Sequence, residues 1–232
     1  VVSEQRNHQR YFAVVDGDGK LTNRFVAISG TPVKDPKVAR RGYERVLRAR
    51  LADARFFFEE DRKRRLEDRV ADLGRRTYQA KLGSELERVQ RIEEIAAALA
   101  DAVGLGDKRD AARRAARLCK ADLVTETVGE FPELQGQIGR QLAEIAGVNS
   151  SVAVAIEDHY RPLGPNDRVP TDPVAVCVAL ADKLDSLVAF WAIDEKPTGS
   201  SDPYALRRAA LGCIRAILSE QQRISLQPLL FD

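Results

Sequence analysis

Apolar residues recur every third or fourth position through most of this chain of 232 residues, and that spacing restricts it to a largely helical fold. The clearest case is the segment 173–191. It follows Asp172 and opens with Pro173, an N-cap and a first-turn proline. Its apolar residues cover more than one side of the predicted helix, as in helices at the centre of a bundle. We therefore predict an all-α bundle with this helix in the middle.

Other helix starts are marked by capping residues. The predicted starts are Asp35 with Pro36, Ser84 with Glu87, Asp107, Glu133, Ser151, Thr171 with Asp172 and Pro173, and Asp202 with Pro203. The helix that Asp107 opens is predicted to continue to the region of Gly129. These signals predict about eight helices.

The first 34 residues differ from the rest because they alternate in the manner of β-strands. Two β-prone runs flank the sequence Asp-Gly-Asp-Gly that ends at Gly19, which predicts a hairpin. A two-stranded ribbon is marginally stable unless it packs on something else. We therefore predict that 1–34 is the C-terminal remnant of a preceding α/β domain and that 35–232 is the helical domain.

Overall charge gives little information about partners, because 37 Lys and Arg nearly balance 35 Asp and Glu, for a net charge of +2. Cys119, Cys177 and Cys213 lie far apart among apolar neighbours, which predicts buried free thiols in a reducing compartment. The apolar runs are far shorter than the ~20 residues that cross a bilayer, and the chain does not open with a signal peptide. The sequence predicts a cytoplasmic protein without a membrane partner.

The run Lys120–Gly136, KADLVTETVGEFPELQG, has an order of residues that neither helix propensity nor core packing requires. It resembles a signature of the β subunit of the bacterial, two-subunit type of glycyl-tRNA synthetase. Further runs that resemble this family, in the same order, are Asn7–Phe12, Asn23–Phe25, Glu44–Phe57, Glu59–Lys63, Lys81–Gly83, Ala181–Asp185 and Pro197–Arg208.

The resemblance implies that the helical part is an HD-like domain, named for the His-Asp metal centre of phosphohydrolases. In active members, a His on one helix, a His-Asp pair on the next and a later Asp hold a metal. Here Cys119 and Lys120 stand in place of the pair, and no His occurs where the first ligand is expected, near Leu86. Only Asp182 resembles a remaining ligand. The resemblance thus implies a degenerate site without a metal.

The resemblance also implies a division of labour. The α subunit carries glycine activation and uses ATP and Mg, whereas this part of the β subunit needs no cofactor and contributes tRNA binding and assembly. The implied partners are the α subunit and tRNA(Gly). The fragment alone is expected not to catalyse aminoacylation.

Asp182 and Asp185 lie one helical turn apart and, with Lys120 and Asp122, could form a buried polar cluster. Paired carboxylates suit acid-base chemistry in principle, but the sequence favours a salt-bridged relic of the old metal site. The two histidines, His8 and His159, are expected to make capping or surface hydrogen bonds rather than to bind a metal.

Arginine clusters are the candidate RNA-binding residues, since guanidinium groups match phosphate geometry. Between Arg40 and Arg76 there are thirteen Lys or Arg and eight acids. The candidates are Arg45, Arg48, Arg50, Arg55, Arg62, Lys63, Arg113, Arg114, Arg117, Arg207 and Arg208. The alternative is that these helices simply have solvated faces.

Two other functions remain open at this stage. A metal-dependent phosphohydrolase of the HD superfamily would hold a metal near Asp182. A purely architectural interaction domain would have no affinity for tRNA.

Overall fold

The computed structural model describes residues 1–219, and the final part of the predicted helical domain, 220–232, lies outside the described residues. Within 1–219 the chain forms an all-α bundle with a short N-terminal hairpin, as predicted. The α-helices of this part are α1 (Pro36–Asp61), α2 (Leu66–Arg69), α3 (Glu85–Ala102), α4 (Arg109–Leu118), α5 (Glu126–Glu130), α6 (Gln137–Ile145), α7 (Ser150–Asp158), α8 (Pro173–Ala192) and α9 (Leu206–Ser219).

Helix α8 is the centre of the bundle, as its apolar pattern predicted. Every residue from 174 to 185 is buried, and α3, α4, α7 and α9 all pack against it. Asp172 begins the helix, since its carboxylate accepts the backbone N–H groups of Val174 and Ala175. The core is a single cluster of apolar side chains contributed by all these helices. Any polar side chain on the first three turns of α8 is therefore forced into the interior.

Two further helix starts are confirmed. The carboxylate of Asp35 accepts the N–H groups of Lys37 and Val38 at the start of α1. Ser84 and Glu87 form the predicted capping box, in which each side chain accepts the other residue's backbone N–H. These local signals were sufficient because a cap depends only on residues within one turn.

The prediction of one long helix from Asp107 to Gly129 is wrong. Helix α4 ends at Leu118, a 3₁₀ turn covers 121–124, and α5 begins after Thr125. The break has a tertiary cause: the buried carboxylate of Asp122 bonds to the backbone of Gly136 and Gly139 instead of facing solvent.

Two other boundaries also shift. Helix α6 begins at Gln137 rather than at Glu133, after a 3₁₀ turn. Helix α9 begins at Leu206, although Asp202 caps it as predicted, by accepting the N–H groups of Leu206 and Arg207.

The N-terminal hairpin is present. Strands β1 (Phe12–Val15) and β2 (Leu21–Val26) pair antiparallel, and the turn is closed by Asp16, whose carboxylate accepts the N–H groups of Asp18 and Lys20. Tyr11, just before β1, contacts Tyr43 of α1 with its ring. A second hairpin, β3 (Thr77–Gln79) with β4 (Gly83–Ser84), leads into α3 and was not anticipated, because these strands are too short to alternate.

All three cysteines are buried free thiols, as predicted. Within residues 1–219, the helices fall short of the combination of length and apolarity that a membrane span requires.

Candidate RNA-binding surface and buried charge cluster

Four charged side chains meet inside the bundle, where α3, α8 and the end of α4 come together. Asp182 of α8 lies 3.1 Å from the Lys120 Nζ and accepts a hydrogen bond of 2.9 Å from Arg88 Nη2 of α3. One turn further along α8, Asp185 accepts a hydrogen bond of 2.5 Å from Arg91 Nε. We call Arg88, Lys120, Asp182 and Asp185 the buried charge cluster. Three helices are thus joined by ion pairs rather than by apolar contact alone.

The buried charges of the cluster are stabilised because its cations and carboxylates neutralise one another. Burial alone would raise the pKa of Asp182, but Lys120 and Arg88 outweigh it and hold the pKa of that carboxyl well below its usual range. For Asp185 the balance is different: burial raises its pKa, although Arg91 and Arg88 oppose the shift. Asp182 is therefore the permanently charged centre of the cluster.

Lys120 is among the most buried side chains of the described chain, with 2% of its surface exposed. Its ammonium lies 4.0 Å from the centre of the Tyr160 ring, a cation-π contact that supplements the pairing with Asp182. Buried lysines are costly unless paired, so these two contacts explain how the side chain is accommodated.

His159 lies beside this cluster and is fully buried, so its hydrogen bond is not at the surface. The capping bond that was the other expectation is confirmed, because His159 is the C-cap residue of α7. Its Nδ1 is 2.7 Å from the carbonyl oxygen of Ile156, and within residues 1–219 its Nε2 has no hydrogen-bond partner. Burial keeps the pKa of His159 well below its ordinary value, so the ring is neutral. Chain spacing carries no signal for this placement, which depends on how α7 packs on α8.

The residues present do not fit a metal ion. The two charged groups nearest Asp182 are cations, which would repel a metal. Within residues 1–219, His, Cys, Asp and Glu side chains do not form any group of three or more that could hold a metal. Cys119 is buried, and burial raises the pKa of its thiol to about 12, so it does not offer a thiolate ligand.

Three buried polar residues of the run 120–136 each have a separate structural task. Lys120 pairs with Asp182, Asp122 accepts the N–H groups of Gly136 and Gly139, and Thr125 caps α5 through Val128 N. Sequence reasoning placed Asp122 with Asp182 and Asp185. The structure instead directs its side chain to the start of α6.

Two glycines of this region, Gly136 and Gly139, are also constrained by their neighbours. Gly136 has φ of +82°, and a Cβ there would approach the Tyr160 ring to 3.1 Å. A Cβ on Gly139 would lie 2.7 Å from a methyl group of Ile156. Lys120, Asp122, Thr125 and Gly136 of this run are therefore placed by specific contacts, which helix propensity alone does not predict.

Lys183, which lies between Asp182 and Asp185 in the sequence, also makes specific contacts that the sequence did not suggest. Its ammonium donates to the carbonyl oxygens of His159 and Arg161 at 3.1 and 2.7 Å. It also blocks the space where a side chain at Gly212 of α9 would lie. Lys183 thus ties α8 to α9 and to the loop after α7.

On the surface, α1 carries exposed arginines without acidic partners. Arg45, Arg48 and Arg55 are exposed, and among residues 1–219 no carboxylate lies within ion-pair distance of them. At about 100° per residue around a helix, these three residues fall within a sector of roughly 80°. We call Arg45, Arg48 and Arg55 the basic side of α1. Arg50, another candidate, lies about 160° around the helix from Arg48 and therefore on a different side.

Most of the other candidates are engaged with neighbouring groups. Arg113 pairs with Glu93 and Glu94, Arg114 pairs with Glu67, and Arg117 lies 3.9 Å from Glu93. Arg62 and Lys63, just after α1, pair with Glu59 and Glu60 of its last turn. Arg208 lies 3.4 Å from the carbonyl oxygen of Leu163, whereas Arg207 is exposed. The structure therefore does not bring the eleven candidates into one surface.

The described part of the chain thus belongs to the class of α-helical bundle modules. Ion pairs stabilise its interior, at a place that does not fit a metal ion, and one long helix has a basic side. The family model described as "Glycyl-tRNA synthetase beta subunit" matches residues 1–232. The chain belongs to the family of glycyl-tRNA synthetase beta subunits, as its motifs predicted.

Individual relatives agree with this assignment. The chain is 58% identical over 226 residues, 97% of its length, to a protein of Anaeromyxobacter sp. (strain K) named glycine–tRNA ligase beta subunit. Proteins of the same name from Rhodospirillum centenum and Neisseria gonorrhoeae are 55% and 51% identical, over 99% and 94% of this chain. The chain spans about a third of the length of these relatives, 32%, 32% and 31% respectively.

Proposed function

We propose that this chain acts within the β subunit of a bacterial glycine-tRNA ligase and that its part is to bind tRNA(Gly) through the basic side of α1. The observation that carries the proposal is the state of Arg45, Arg48 and Arg55, which are exposed and unpaired by any carboxylate in 1–219. Charges that stabilise a fold are normally paired, whereas unpaired guanidinium groups are free to bind phosphate. Binding would be non-covalent and would track the RNA backbone.

The chemistry of aminoacylation belongs, in this proposal, to the α subunit, which uses ATP and Mg. The buried charge cluster contributes no catalytic group, because Asp182 and Asp185 are held by Arg88, Lys120 and Arg91 inside the bundle. We further propose that the bundle is HD-like, that 1–34 is the end of a preceding domain, and that the protein is cytoplasmic. The contact of Lys120 with Asp182 supports the proposal that the bundle is HD-like. Lys120 stands in place of the metal-binding pair and Asp182 resembles the later ligand, and an HD-like fold would bring these two positions together.

The test is a salt-titrated tRNA binding assay with the chain in a complete β subunit assembled with the α subunit. The variant Arg45→Glu/Arg48→Glu/Arg55→Glu should weaken binding by about 100-fold at low salt and reduce the salt slope by about 2–3. Arg50→Glu is the matched control for the single variant Arg48→Glu, because each reverses one charge in the same helix and the two residues lie on different sides. The effect of Arg50→Glu should be several-fold smaller.

The reversal Arg113→Glu/Arg114→Glu/Arg117→Glu serves as a second comparison on α4. Because those arginines already pair with glutamates, it should change the salt slope little. If the α1 triple variant binds tRNA like the unmodified protein, the proposed surface is wrong, and an architectural role becomes the better explanation. A stoichiometric metal in the purified protein would favour the phosphohydrolase alternative, which the cations around Asp182 argue against.

A further inference from the structure

Asp61, the last residue of α1, forms a buried joint with the helical bundle. Its side chain accepts hydrogen bonds from Glu126 N at 3.1 Å, from Thr127 N at 2.9 Å and from the Thr127 hydroxyl at 2.7 Å. Asp61 is only 1% exposed. These donors are the free N–H groups at the start of α5, so a carboxylate of α1 caps a different helix.

Arg69 completes the joint from the other side. Its Nη2 donates to the backbone carbonyl of Asp61 at 2.9 Å and lies 3.3 Å from the carboxylate. A buried carboxylate with this many donors is held in one geometry, because losing any donor would leave a charge unsatisfied. The end of α1 is thereby fixed in direction as well as in position.

The rest of α1 is attached far less firmly. Within the described chain, its contacts with the bundle are chiefly to α5, and Leu47 and Asp61 are its only buried residues. Toward its N-terminus the helix contacts the hairpin through Tyr43 and Tyr11. A helix of this length, about 39 Å at 1.5 Å per residue, would turn a small change of angle at Asp61 into a large displacement at its far end.

We propose that Asp61 is a positioning residue that sets the angle of α1 on the bundle and so presents the basic side of α1 in one orientation. That Asp61 sets the angle of α1 rests on the hydrogen bonds alone. That this angle orients the basic side of α1 for RNA rests on the RNA-binding role proposed above. Among residues 1–219, no hydrogen bond or ion pair joins the joint to Arg45, Arg48 or Arg55. Asp61 therefore acts on RNA binding through the direction of the helix.

The angle can be measured as a distance between two spin labels in the complete β subunit. Gly42→Cys on α1 and Ala98→Cys on α3 suit the labels, because both positions are exposed and a Cβ at Gly42 meets nothing within 4 Å. Cys119, Cys177 and Cys213 are buried and should not compete for the label. The unmodified joint should give one narrow distance distribution.

Asp61→Ala should broaden that distribution roughly two-fold while circular dichroism shows the helices intact. Asp53→Ala, which removes an exposed acid from the same helix, is the matched control and should leave the distribution unchanged. If Asp61→Ala does not fold, Asp61→Asn keeps the side-chain volume and one acceptor oxygen, and it should broaden the distribution less. An unchanged distribution in either folded variant of Asp61 overturns the proposal.

Binding of tRNA tests separately whether this angle orients the basic side of α1 for RNA. Asp61→Ala should weaken tRNA affinity by about three-fold through lost preorganisation and leave the salt slope unchanged, since every phosphate contact can still form. A change of slope would mean that Asp61 acts on the contacts themselves, and unchanged affinity with a broadened distance would show that orientation is unimportant for RNA. The distance measurement contains no RNA, so it remains decisive even if the basic side of α1 binds none.

Discussion

The buried charge cluster and the basic side of α1 use the same residue types in opposite ways. In the cluster, Arg88 and Lys120 are matched by Asp182 at hydrogen-bonding distance inside the bundle. On α1, Arg45 and Arg48 extend into solvent without a carboxylate partner in 1–219. The charges of the cluster are neutralised by one another and hold three helices together, whereas the charges of α1 remain available to bind a partner.

Helix α4 lies between these extremes and shows what the difference teaches. Its arginines are on the surface, like those of α1, but Arg113 and Arg114 pair with glutamates of α3 and α2. An arginine-rich helix is therefore a candidate binding surface only where tertiary neighbours leave its charges unpaired. The contrast can be tested by measuring the free energy of unfolding of variants. Substitutions in the buried charge cluster should lower it most, and substitutions on the basic side of α1 should lower it least.

The largest expected effect is that of Asp182→Asn. It leaves Lys120 buried without its counter-ion, which should lower the free energy of unfolding by about 3–5 kcal/mol. Asp53→Asn on α1, an exposed acid, should change it by less than about 0.5 kcal/mol. Urea unfolding of both variants gives the comparison. Equal effects would show that the cluster has no special stabilising role.

The interior should also make stability depend on pH, which the arginines of α1 cannot do. Burial raises the pKa of Asp122 to about 6, above its ordinary value of 3.8. The folded state thus holds this proton more tightly than the unfolded state. The resulting stability, on the order of 3 kcal/mol, should be fully present below about pH 4 and lost as the pH rises through about 6.

Urea unfolding at a series of pH values checks this, with Asp122→Asn as the control that should remove the contribution of Asp122. The opposite contribution of His159, whose lowered pKa gives stability that is lost as the pH falls below about 6.5, should remain in both proteins. Asp182 acts in the opposite direction, because its lowered pKa gives stability that is present above about pH 4 and lost as the pH falls further. A pH profile of Asp122→Asn identical to that of the unmodified protein between pH 4 and 7 would contradict the assignment to Asp122.

A smaller effect is expected from Arg113→Ala on α4. Its side chain is 40% exposed, so its pairs with Glu93 and Glu94 are screened by water and should contribute far less to stability than the buried pairs of Asp182. Raising the salt concentration should reduce the difference between the variant and the unmodified protein. If Arg113→Ala lowered the free energy of unfolding as much as Asp182→Asn does, the ion pairs of α4 would stabilise the fold as strongly as those of the buried charge cluster.

The smallest effect on stability is expected from Arg48→Glu on α1, within about 0.5 kcal/mol. The same substitution should reduce the salt slope of tRNA binding by about 1, the loss of one phosphate contact. Thermal unfolding and a salt titration on one protein preparation measure both. Marked destabilisation without a change in slope would mean that Arg48 serves the fold and not the RNA.

Much of the fold was predictable from the sequence, because caps and apolar spacing are local. Asp35, Ser84 and Asp172 begin their helices as predicted, and the breadth of apolar positions on 173–191 identified the central helix. The break after Leu118 was not predictable, since nothing near Asp122 in the chain indicates that its partners are Gly136 and Gly139.

The candidate sites were predictable only in part. The pairing of Lys120 with the acids of α8 followed from the family pattern, but Arg88 was missed because a charged residue on a helix ordinarily points to solvent. The two arginine clusters looked alike in composition, and their difference lies in the glutamates that α2 and α3 bring to α4. Spacing along one helix cannot reveal charges that come from another.

The sequence by itself determined the helical class, the central place of α8, the hairpin and the family, because each depends on local order or on recognisable runs of residues. The tertiary structure alone decided which charges are neutralised and which remain available. Ion pairs form over about 4 Å or less, and the partners of Asp182 come from positions 88 and 120, far away along the chain. Only folding brings such charges close enough to cancel.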